Sequence, residues 1–280
     1  LIMILLEDRL VLEAKDKMIM SMIKREREKE LRVMKTLLVT GAAGGIGSEI
    51  ARHAGNLGYK VGLIDVDQDG LEKLAKEIPH SIALPADISN EESVQDSLNT
   101  FNDSPDALIN CAGIVRFGSL LDQSAEDFRK VFEVNLLGCY IMSCASAKLM
   151  IKKGAGNIVN ISSLSGGKHP AIHAGAYAST KAGMAMLSEQ MSLEWGKDGI
   201  RVNTISPGFI DAGMAASHYV DKQEREKREK MVPIQRIGTA EDIAKVAMFL
   251  LSDDSSYIHG ENILVDGGVI NSVLANISRS

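Results

Sequence analysis

TLLVTGAAGGIG, residues 36–47, joins a short apolar run to four closely spaced glycines. The run over residues 36–40 predicts a β-strand, and the apolar residues that recur every three to four positions after the glycines predict a helix. Glycines at such a turn permit a tight bend, and the free N–H groups of the helix start can hold a diphosphate anion. The candidate anion-binding residues are Gly41, Gly45, Ile46 and Gly47. An ordinary glycine-rich turn would have the same composition.

Strands and helices alternate along the rest of the chain. The strands are expected over Thr36–Thr40, Tyr59–Asp65, Ser81–Leu84, Ala107–Asn110, Asn157–Ser162, Arg201–Ser206 and Asn262–Val265. The helices are expected over Gly47–Leu57, Gln68–Ile78, Glu91–Phe101, Ser124–Ile151, Tyr177–Trp195 and Ala240–Leu251. Because the strands are continuous apolar runs, they predict a parallel sheet that is covered on both faces. We therefore predict an α/β fold with one doubly wound domain over residues 36–280 and seven parallel strands.

The composition indicates a folded, acidic protein. Of its 280 residues, 45% are hydrophobic and 24% are charged, and the net charge is −6, as is typical of a globular domain. An acidic balance disfavours nucleic acid as a partner, because phosphate binding needs an excess of Lys and Arg. No apolar run approaches the roughly 18 residues that a membrane span needs. We therefore expect neither nucleic acid nor a membrane as a partner.

The cysteines and histidines form no disulfide or metal-binding pattern. Cys111, Cys139 and Cys144 include no CxxC spacing, and the six histidines include no HExxH pair. These features predict no metal site and a reducing environment. Together with the lack of an export signal, they predict a cytoplasmic location.

Residues 1–35 differ from the rest of the chain. They contain nine Lys or Arg and seven Asp or Glu, but no Gly or Pro, and residues 24–30 read KREREKE. The alternating charges are typical of a solvated helix face. We expect an N-terminal extension, either an amphipathic helix that docks on a partner or sequence translated ahead of a start at Met34.

A carboxylate ends the second predicted strand. Asp65 lies 18 residues after Gly47, close to the spacing of about 20 that places an acid at the hydroxyls of an adenosine ribose. Such a carboxylate would repel a 2′-phosphate, and Gly44 offers no cation to bind one. Both features favour NAD over NADP. The alternative is that Asp65 caps the turn before Asp67.

Further candidates follow the third and fourth strands. Asp87 could accept a hydrogen bond from an adenine amino group, with Ile88 beside it, or could instead belong to the entry of the next helix. Asn110, Ala112 and Gly113 end the fourth strand, where small residues let a cofactor ribose pass close to the backbone.

Tyr177 and Lys181 are four residues apart on a predicted helix, so their side chains lie on one face. An ammonium beside a phenol favours the phenolate, which makes Tyr177 a usable general acid or base. Ser162 and Ser163 end the preceding strand, at the sheet edge where ligands bind in open α/β sheets. A hydroxyl at that edge can polarise a carbonyl group.

These motifs, in this order, resemble those of the classical short-chain dehydrogenases/reductases over Thr36 to about Gly268. The correspondence comprises TGxxxGxG at Thr40, Gly41, Gly45 and Gly47, NNAG at Asn110-Cys111-Ala112-Gly113, an Asn at Asn135, SSxxG at Ser162–Gly166, YxxxK at Tyr177 and Lys181, PG at Pro207-Gly208, and DGG at Asp266-Gly267-Gly268. Cysteine replaces the second Asn of NNAG. The Ser163–Tyr177 gap is 14, one residue longer than is common in the family, which leaves Ser165 as an alternative hydroxyl.

The resemblance implies a Rossmann fold and a nicotinamide-dependent oxidoreductase acting on a secondary alcohol or ketone, with NAD as the cofactor indicated by Asp65. It implies that Tyr177 exchanges the proton and that Lys181 assists Tyr177 and holds the nicotinamide ribose. Ser163 would bind the substrate oxygen, and Asn135 would hold a water that connects Lys181 to solvent. It also implies cofactor contacts at Ile88, Pro207, Gly208 and Ile210.

Substrate choice is expected to depend on a lid over Phe209–Ile237, with its charged run DKQEREKREK forming an exposed helix face. The loop at 166–175 carries Lys168, His169 and His173, which either contact substrate or face solvent. A polyol, sugar or cyclic alcohol suits NAD. The alternatives are a 3-oxoacyl thioester reduced with NADPH and, more remotely, a non-catalytic nucleotide-sensing module. The resemblance further implies a homo-oligomer, a tetramer or a dimer, pairing through the helices at 124–151 and 177–195.

Overall fold

A computed structural model describes residues 34–274, which form a seven-stranded parallel sheet with the order β3-β2-β1-β4-β5-β6-β7. The strands are β1 (Thr36–Thr40), β2 (Lys60–Asp65), β3 (Ser81–Pro85), β4 (Ala107–Asn110), β5 (Gly156–Ile161), β6 (Ile200–Pro207) and β7 (Asn262–Val265). The predicted fold class and strand number are confirmed. The extension predicted over residues 1–35 lies outside the described residues, apart from its last two.

The main helices connect these strands. They are α1 (Gly45–Asn56), α2 (Gln68–Glu77), α3 (Glu91–Phe101), α4 (Ala125–Lys153), α5 (Gly175–Trp195), α6 (Lys222–Met231) and α7 (Ala240–Leu251). The predicted strands and helices agree with these bounds to within two residues. Short helical turns at Leu164–Gly167 and Gly213–Tyr219 were not predicted, because their sequences are short and have no clear apolar period.

The centre of the sheet is buried on both faces because its strands carry consecutive apolar residues. In β1, Leu37 and Val39 belong to one core cluster with the buried faces of α1, α2 and α7. Leu38, which points to the other face, belongs to a second cluster with α3, α4 and α5. Each such fully buried side chain stabilises the fold by about 1.5–3 kcal/mol. The two clusters make the domain doubly wound, as predicted.

The strand order reverses between β1 and β4, which lie side by side at the centre of the sheet. From β1 the chain winds outward to β2 and β3, and from β4 it winds outward to β5, β6 and β7. At such a switch point the connections leave in opposite directions and open a crevice at the carboxyl ends of the strands. The fold therefore places a binding site after Thr40 and Asn110.

Helix α4 departs from the prediction of a continuous helix. A π-helical turn at Glu133–Leu137 separates α-helical segments at Ala125–Phe132 and Gly138–Lys153. Such turns insert one extra residue into a helix and are frequent at functional sites. By length and composition α4 could also cross a membrane, but half of its apolar window is buried in the fold. A core helix passes the same test, so the composition of α4 is weak evidence for a membrane.

The lid predicted over Phe209–Ile237 is closed at its base by backbone hydrogen bonds. The N–H of Gly238 donates to the carbonyl of Phe209, and the N–H of Asp211 donates to the carbonyl of Gly238. Between these ends, the charged run forms α6, which has no buried residue and is capped by Asp221. The exposed helix predicted from that run is confirmed.

Asp242 fixes the end of the lid to the start of α7. Its carboxylate accepts two hydrogen bonds from the Arg236 guanidinium, at 2.7 and 2.9 Å, and one from the backbone N–H of Thr239 at 2.8 Å. The Thr239 hydroxyl accepts in turn from the N–H of Asp242, which completes a capping box. These hydrogen bonds, chiefly those from Arg236, hold the pKa of Asp242 well below its usual range.

We expect Asp242→Ala to lower the free energy of unfolding at pH 7 by about 1 kcal/mol, the usual value of a helix cap. The pKa of Asp242 is lower in the folded state, so its contribution is present above the unfolded pKa of about 3.9 and is lost as the pH falls further. Urea unfolding at pH 7 and at about pH 3.5 should show the difference between variant and wild type shrinking in acid. Asp254→Ala, at an exposed carboxylate, is the control. An equal difference at both pH values would contradict this account.

Candidate active site

A cavity of about 1110 Å³ lies at the predicted edge of the sheet, below the lid. It is lined by the glycine-rich turn after β1, the ends of β2 to β6, the start of α5 and parts of the lid. The predicted site residues that line it are Gly41, Gly45, Ile46, Asp65, Asp87, Ile88, Ala112, Gly113, Ser163, Tyr177, Lys181, Pro207, Gly208 and Ile210. The structure therefore brings together residues that are up to 169 positions apart in the chain, from Gly41 to Ile210.

Three predicted residues lie behind the cavity wall. A Cβ on Gly47 would be 2.2 Å from the carbonyl oxygen of Gly41, so Gly47 lets the helix start pack against the turn. The side-chain amide of Asn110 donates to Asn160 on β5 and to Ser143 on α4, both at 2.8 Å. Asn110 therefore fixes the end of β4 from within the core. Asn135, the third of these residues, is completely buried.

The glycine-rich turn is held directly against the end of β4. The Thr40 hydroxyl accepts hydrogen bonds from the N–H groups of Cys111 and Ala112, at 3.0 and 3.1 Å. Gly41 has a φ of +68°, and a Cβ there would lie 2.8 Å from Ala112. A side chain at position 41 would therefore collide with the backbone of the neighbouring strand. The turn remains free of side chains on its cavity side, as a cradle for a diphosphate requires.

Asp65 serves the turn and also faces the cavity. One of its carboxylate oxygens accepts from the N–H of Ala43, and the other accepts from the N–H of Asp67, both at 3.1 Å. The turn-capping role considered for this residue is thus present. A carboxylate has about four acceptor positions, so these bonds leave capacity for the two hydroxyls of a ribose. Asp65 consequently fits an adenosine ribose at this end of the cavity.

Asp87 begins a tight turn at the cavity rim. Its carboxylate accepts from the hydroxyl and the N–H of Ser89, at 2.6 and 2.9 Å, and these bonds, with Lys130 nearby, lower its pKa. Its carbonyl also accepts from the N–H of Asn90, which caps α3. The helix-entry role considered for Asp87 is therefore present, on a residue that also lines the cavity.

Tyr177 and Lys181 lie one turn apart on α5, with the Lys181 ammonium 5.7 Å from the centre of the Tyr177 ring. Lys181 is 3% exposed, and its ammonium donates to the carbonyl of Ile161 at 2.7 Å. A lysine has three donor hydrogens, so further donors remain beside the cavity. Ser163 follows β5 directly, and its hydroxyl accepts from the N–H of Ser165 at 3.1 Å.

Asn135 connects the π-helical turn of α4 to this group. Its side-chain carbonyl accepts from the N–H of Ile114 at 2.8 Å, and its amide donates to the Ile114 carbonyl and the Thr180 hydroxyl. A Cβ on Gly113 would lie 3.3 Å from the Asn135 side-chain oxygen and 3.7 Å from the Lys181 ammonium. Gly113 thus lies next to the polar atoms of both Asn135 and Lys181. These bonds let the side chain of Asn135 position the loop after β4, and one acceptor position of its oxygen remains.

Of the substrate-contact candidates in the loop after β5, some line the cavity and some do not. His169 lines the cavity, whereas Lys168 and His173 do not. The Ser165 hydroxyl is buried without a hydrogen-bond partner in the described part of the chain, and Ser165 also lines the cavity. It therefore stays a second candidate for contacting a substrate oxygen beside Ser163.

Sequence reasoning missed several lining residues. Phe117 lines the cavity from the loop after β4, where no periodic pattern marks it. His218 and Arg228 line it from the predicted lid, but the charged run does not single out Arg228. Cys111 also lines it. Burial raises the pKa of the Cys111 thiol to about 11, although the Lys181 ammonium acts in the opposite direction. The thiol is consequently protonated near neutral pH and is a poor nucleophile. Within residues 34–274, no cluster of three metal-ligating side chains occurs.

The arrangement is that of a dinucleotide-dependent oxidoreductase, and comparison with known proteins agrees. The family model described as enoyl-(acyl carrier protein) reductase matches residues 41–270. The chain therefore belongs to the short-chain dehydrogenase/reductase family. Family members use a nicotinamide cofactor, NAD or NADP, and act on small-molecule substrates.

Individual relatives cover most of the chain. It is 35% identical over 248 residues to L-rhamnose 1-dehydrogenase (NAD(P)(+)) of Sphingomonas sp. (strain SKA58), covering 84% of this chain and 96% of the relative. It is 36% identical over 258 residues to (3R)-3-hydroxyacyl-CoA dehydrogenase of Mus musculus, covering 86% and 98%. The solved structure of levodione reductase superposes with a TM-score of 0.79 at 31% identity, covering 85% and 98%. The protein is thus an oxidoreductase of alcohol and ketone or 3-oxoacyl substrates.

Proposed function

We propose that this protein interconverts a secondary alcohol and a ketone, with NAD(H) as the hydride carrier. The observation that carries the proposal is the single cavity that Ser163, Tyr177 and Lys181 share with the glycine-rich turn and Asp65. The turn offers a diphosphate cradle, and the carboxylate offers acceptors for a ribose. These features fit a dinucleotide whose nicotinamide end lies beside Tyr177.

The proposed chemistry needs a proton as well as a hydride. When bound, the nicotinamide supplies or accepts the hydride. Tyr177 would donate a proton to the carbonyl oxygen in reduction and remove it from the hydroxyl in oxidation. The Lys181 ammonium would favour the phenolate form and bind the ribose hydroxyls. Ser163 would donate a hydrogen bond to the substrate oxygen, and Asn135 would support a water that connects Lys181 to solvent.

The preference for NAD rests on charge. A 2′-phosphate on the adenosine ribose would lie against the Asp65 carboxylate, and like charges at short range repel. The residues beside it, Gly44 and Val66, supply no cation to offset the repulsion. The bonds from Ala43 and Asp67 hold the carboxylate in place, so moving it away would break both.

Reduction of a 3-oxoacyl thioester with NADPH is the second candidate. It is favoured by the similarity to (3R)-3-hydroxyacyl-CoA dehydrogenase of Mus musculus, and Asp65 argues against its cofactor. A non-catalytic nucleotide-sensing role is disfavoured, because Asn135, Ser163, Tyr177 and Lys181 are all present.

We further propose a homo-oligomer that pairs through α4 and α5. Leu137, Tyr140 and Met186 are 44%, 47% and 62% exposed on these helices. They line a second groove with further apolar residues, Phe132, Leu136 and Leu187. Contiguous exposed apolar surface of this kind is typical of protein–protein interfaces.

Replacing Asp65 tests the cofactor preference. Asp65→Asn keeps an acceptor but removes the charge. We expect kcat/KM for NADH to fall about tenfold, because a charge-assisted hydrogen bond to the ribose is lost. We expect kcat/KM for NADPH to rise, because the repulsion of the 2′-phosphate is removed. Initial rates with both cofactors measure this. The control is Asp69→Asn, at an exposed carboxylate outside the cavity. Equal use of NADH and NADPH by the wild-type enzyme would contradict the proposal.

Replacing Tyr177 tests the proton transfer. Tyr177→Phe removes only the hydroxyl, so kcat should fall by about 10²- to 10⁴-fold, while NADH affinity stays within about threefold of wild type. Tyr257→Phe, at a fully exposed tyrosine, serves as the matched control. Stopped-flow rates and NADH titration separate the two effects. Full turnover by the Phe variant would rule out Tyr177 as the acid and base.

Sedimentation velocity tests the oligomer. We expect the wild-type protein to sediment as a dimer or tetramer and Met186→Glu to shift it toward the monomer, because the new carboxylate would be buried unpaired in the interface. Leu57→Glu changes an equally exposed apolar residue at the end of α1, outside the groove, and should leave the oligomer intact. A monomeric wild-type protein would contradict the proposal.

A further inference from the structure

Arg228 is a positively charged lid residue that lines the cavity and makes no ion pair with a carboxylate of the described residues. It lies on α6 and lines the cavity. Its guanidinium donates to the carbonyl of His218 at 3.2 Å and lies 5.4 Å from the centre of the Tyr219 ring. Both contacts are with uncharged groups. Within residues 34–274, no carboxylate oxygen lies within 4.0 Å of its nitrogen atoms.

The neighbouring arginine on the same helix shows the contrast. Arg225 lies one turn earlier and makes ion pairs with Asp211 at 2.6 Å and with Glu229 at 3.0 Å. Its charge is therefore neutralised within the lid. Arg228 is in the same helix with the same side chain, but its two contacts only orient it. An oriented, unpaired guanidinium at a cavity is suited to bind a carboxylate or phosphate of a ligand.

The other charged residues of the cavity lining lie away from the lid or are paired. Lys130 lies near Asp87, and Lys181 is buried beside Tyr177. The lining carboxylates, Asp65 and Asp87, follow β2 and β3, at the end assigned to the adenosine. Arg116 lines the cavity but makes an ion pair with Asp127 at 3.7 Å. The lid side of the lining thus contains no acidic side chain to repel an anion.

The lid segment that holds Arg228 packs on the loop after β4. The backbone carbonyl of His218 accepts from Arg228, and the His218 ring makes an edge contact with the Phe117 ring at a centroid distance of 5.8 Å. Phe117 belongs to the loop after β4, and it lines the same cavity as Arg228 and Tyr177. Arg228 therefore shares this cavity with the proposed catalytic group.

We propose that Arg228 binds an anionic group of the substrate and selects for oxo acids and hydroxy acids over their neutral counterparts. The inference deepens the proposed function and rests on it. An anion would supply the missing charge partner when a ligand fills the cavity. A neutral substrate would displace water from Arg228 without replacing the hydrogen bonds and charge stabilisation that the water supplied. Because a desolvated, unpaired charge is unfavourable, a neutral substrate would bind less tightly.

The experiment measures binding to the complex with NAD⁺, in which a ketone cannot be reduced. The probes are methyl-ketone acids from 2-oxopropanoate to 7-oxooctanoate, each beside its methyl ester, titrated calorimetrically. The series varies the separation between the carbonyl and the carboxylate, because the structure does not fix that distance. At one or two lengths, the acid should bind at least about tenfold more tightly than the ester.

The variants separate charge from lid structure. Arg228→Gln keeps a donor for the His218 carbonyl but removes the charge, so the preference for the acid should fall below about threefold. Arg228→Lys keeps the charge and should retain most of the preference. Lys230→Gln removes a positive charge from an exposed position on the same helix and should change nothing.

The outcomes distinguish this inference from the proposed function. Equal binding of acid and ester at every length, no binding of any acid, or a preference that survives in Arg228→Gln would overturn the role of Arg228. NADH-linked reduction of each probe is measured in parallel. Tighter binding of acids without reduction of any ketone would instead contradict the proposed function, because the anion preference would then be present without the chemistry.

Discussion

The close approach of two backbone turns at the centre of the sheet is the constraint on which the site depends. Thr40 binds the N–H groups that begin the segment after β4, and Gly41 lies so close to Ala112 that no Cβ fits between them. Because β1 and β4 are the strands where the winding direction reverses, this contact sets the width of the crevice. Asp65 attaches the same turn to the end of β2 through the N–H of Ala43. The floor of the cavity is thus fixed by hydrogen bonds between neighbouring strand ends.

Charge is distributed unevenly over this floor and its lid. Carboxylates lie at the end of β2, where Asp65 suits the hydroxyls of a ribose, and after β3, where Asp87 lines the rim. The buried ammonium of Lys181 lies beside Tyr177. Arg228 lines the cavity from the lid, whereas Arg225 makes an ion pair with Asp211 that holds α6 in place. The same helix therefore carries one arginine for lid structure and one that faces the ligand space.

Much of the fold could be predicted from the sequence, because the central strands carry consecutive apolar residues and helices α1, α2, α3 and α7 carry a clear apolar stripe. The residues of the glycine-rich turn and the pair Tyr177 and Lys181 are also marked by spacing along one element. Other features depend on contacts between distant segments. Nothing local indicates that Asn135 lies in a π-helical turn and binds Ile114 and Thr180. Likewise, DKQEREKREK predicts a helix but does not distinguish the arginine paired with Asp211 from the one that faces the cavity.

The π-helical turn of α4 adds a constraint that concerns the site and not the packing of the helix. Deleting one residue from Glu133–Leu137 would let the backbone return to regular α-helical bonding. The two α-helical segments would keep their faces toward the core, because a single π-helical turn holds its extra residue without rotating the helix on either side. Asn135, however, lies inside the turn, and its bonds to Ile114 and Thr180 depend on that local backbone. Such a deletion should therefore preserve the fold of α4 but displace Asn135 from the loop after β4.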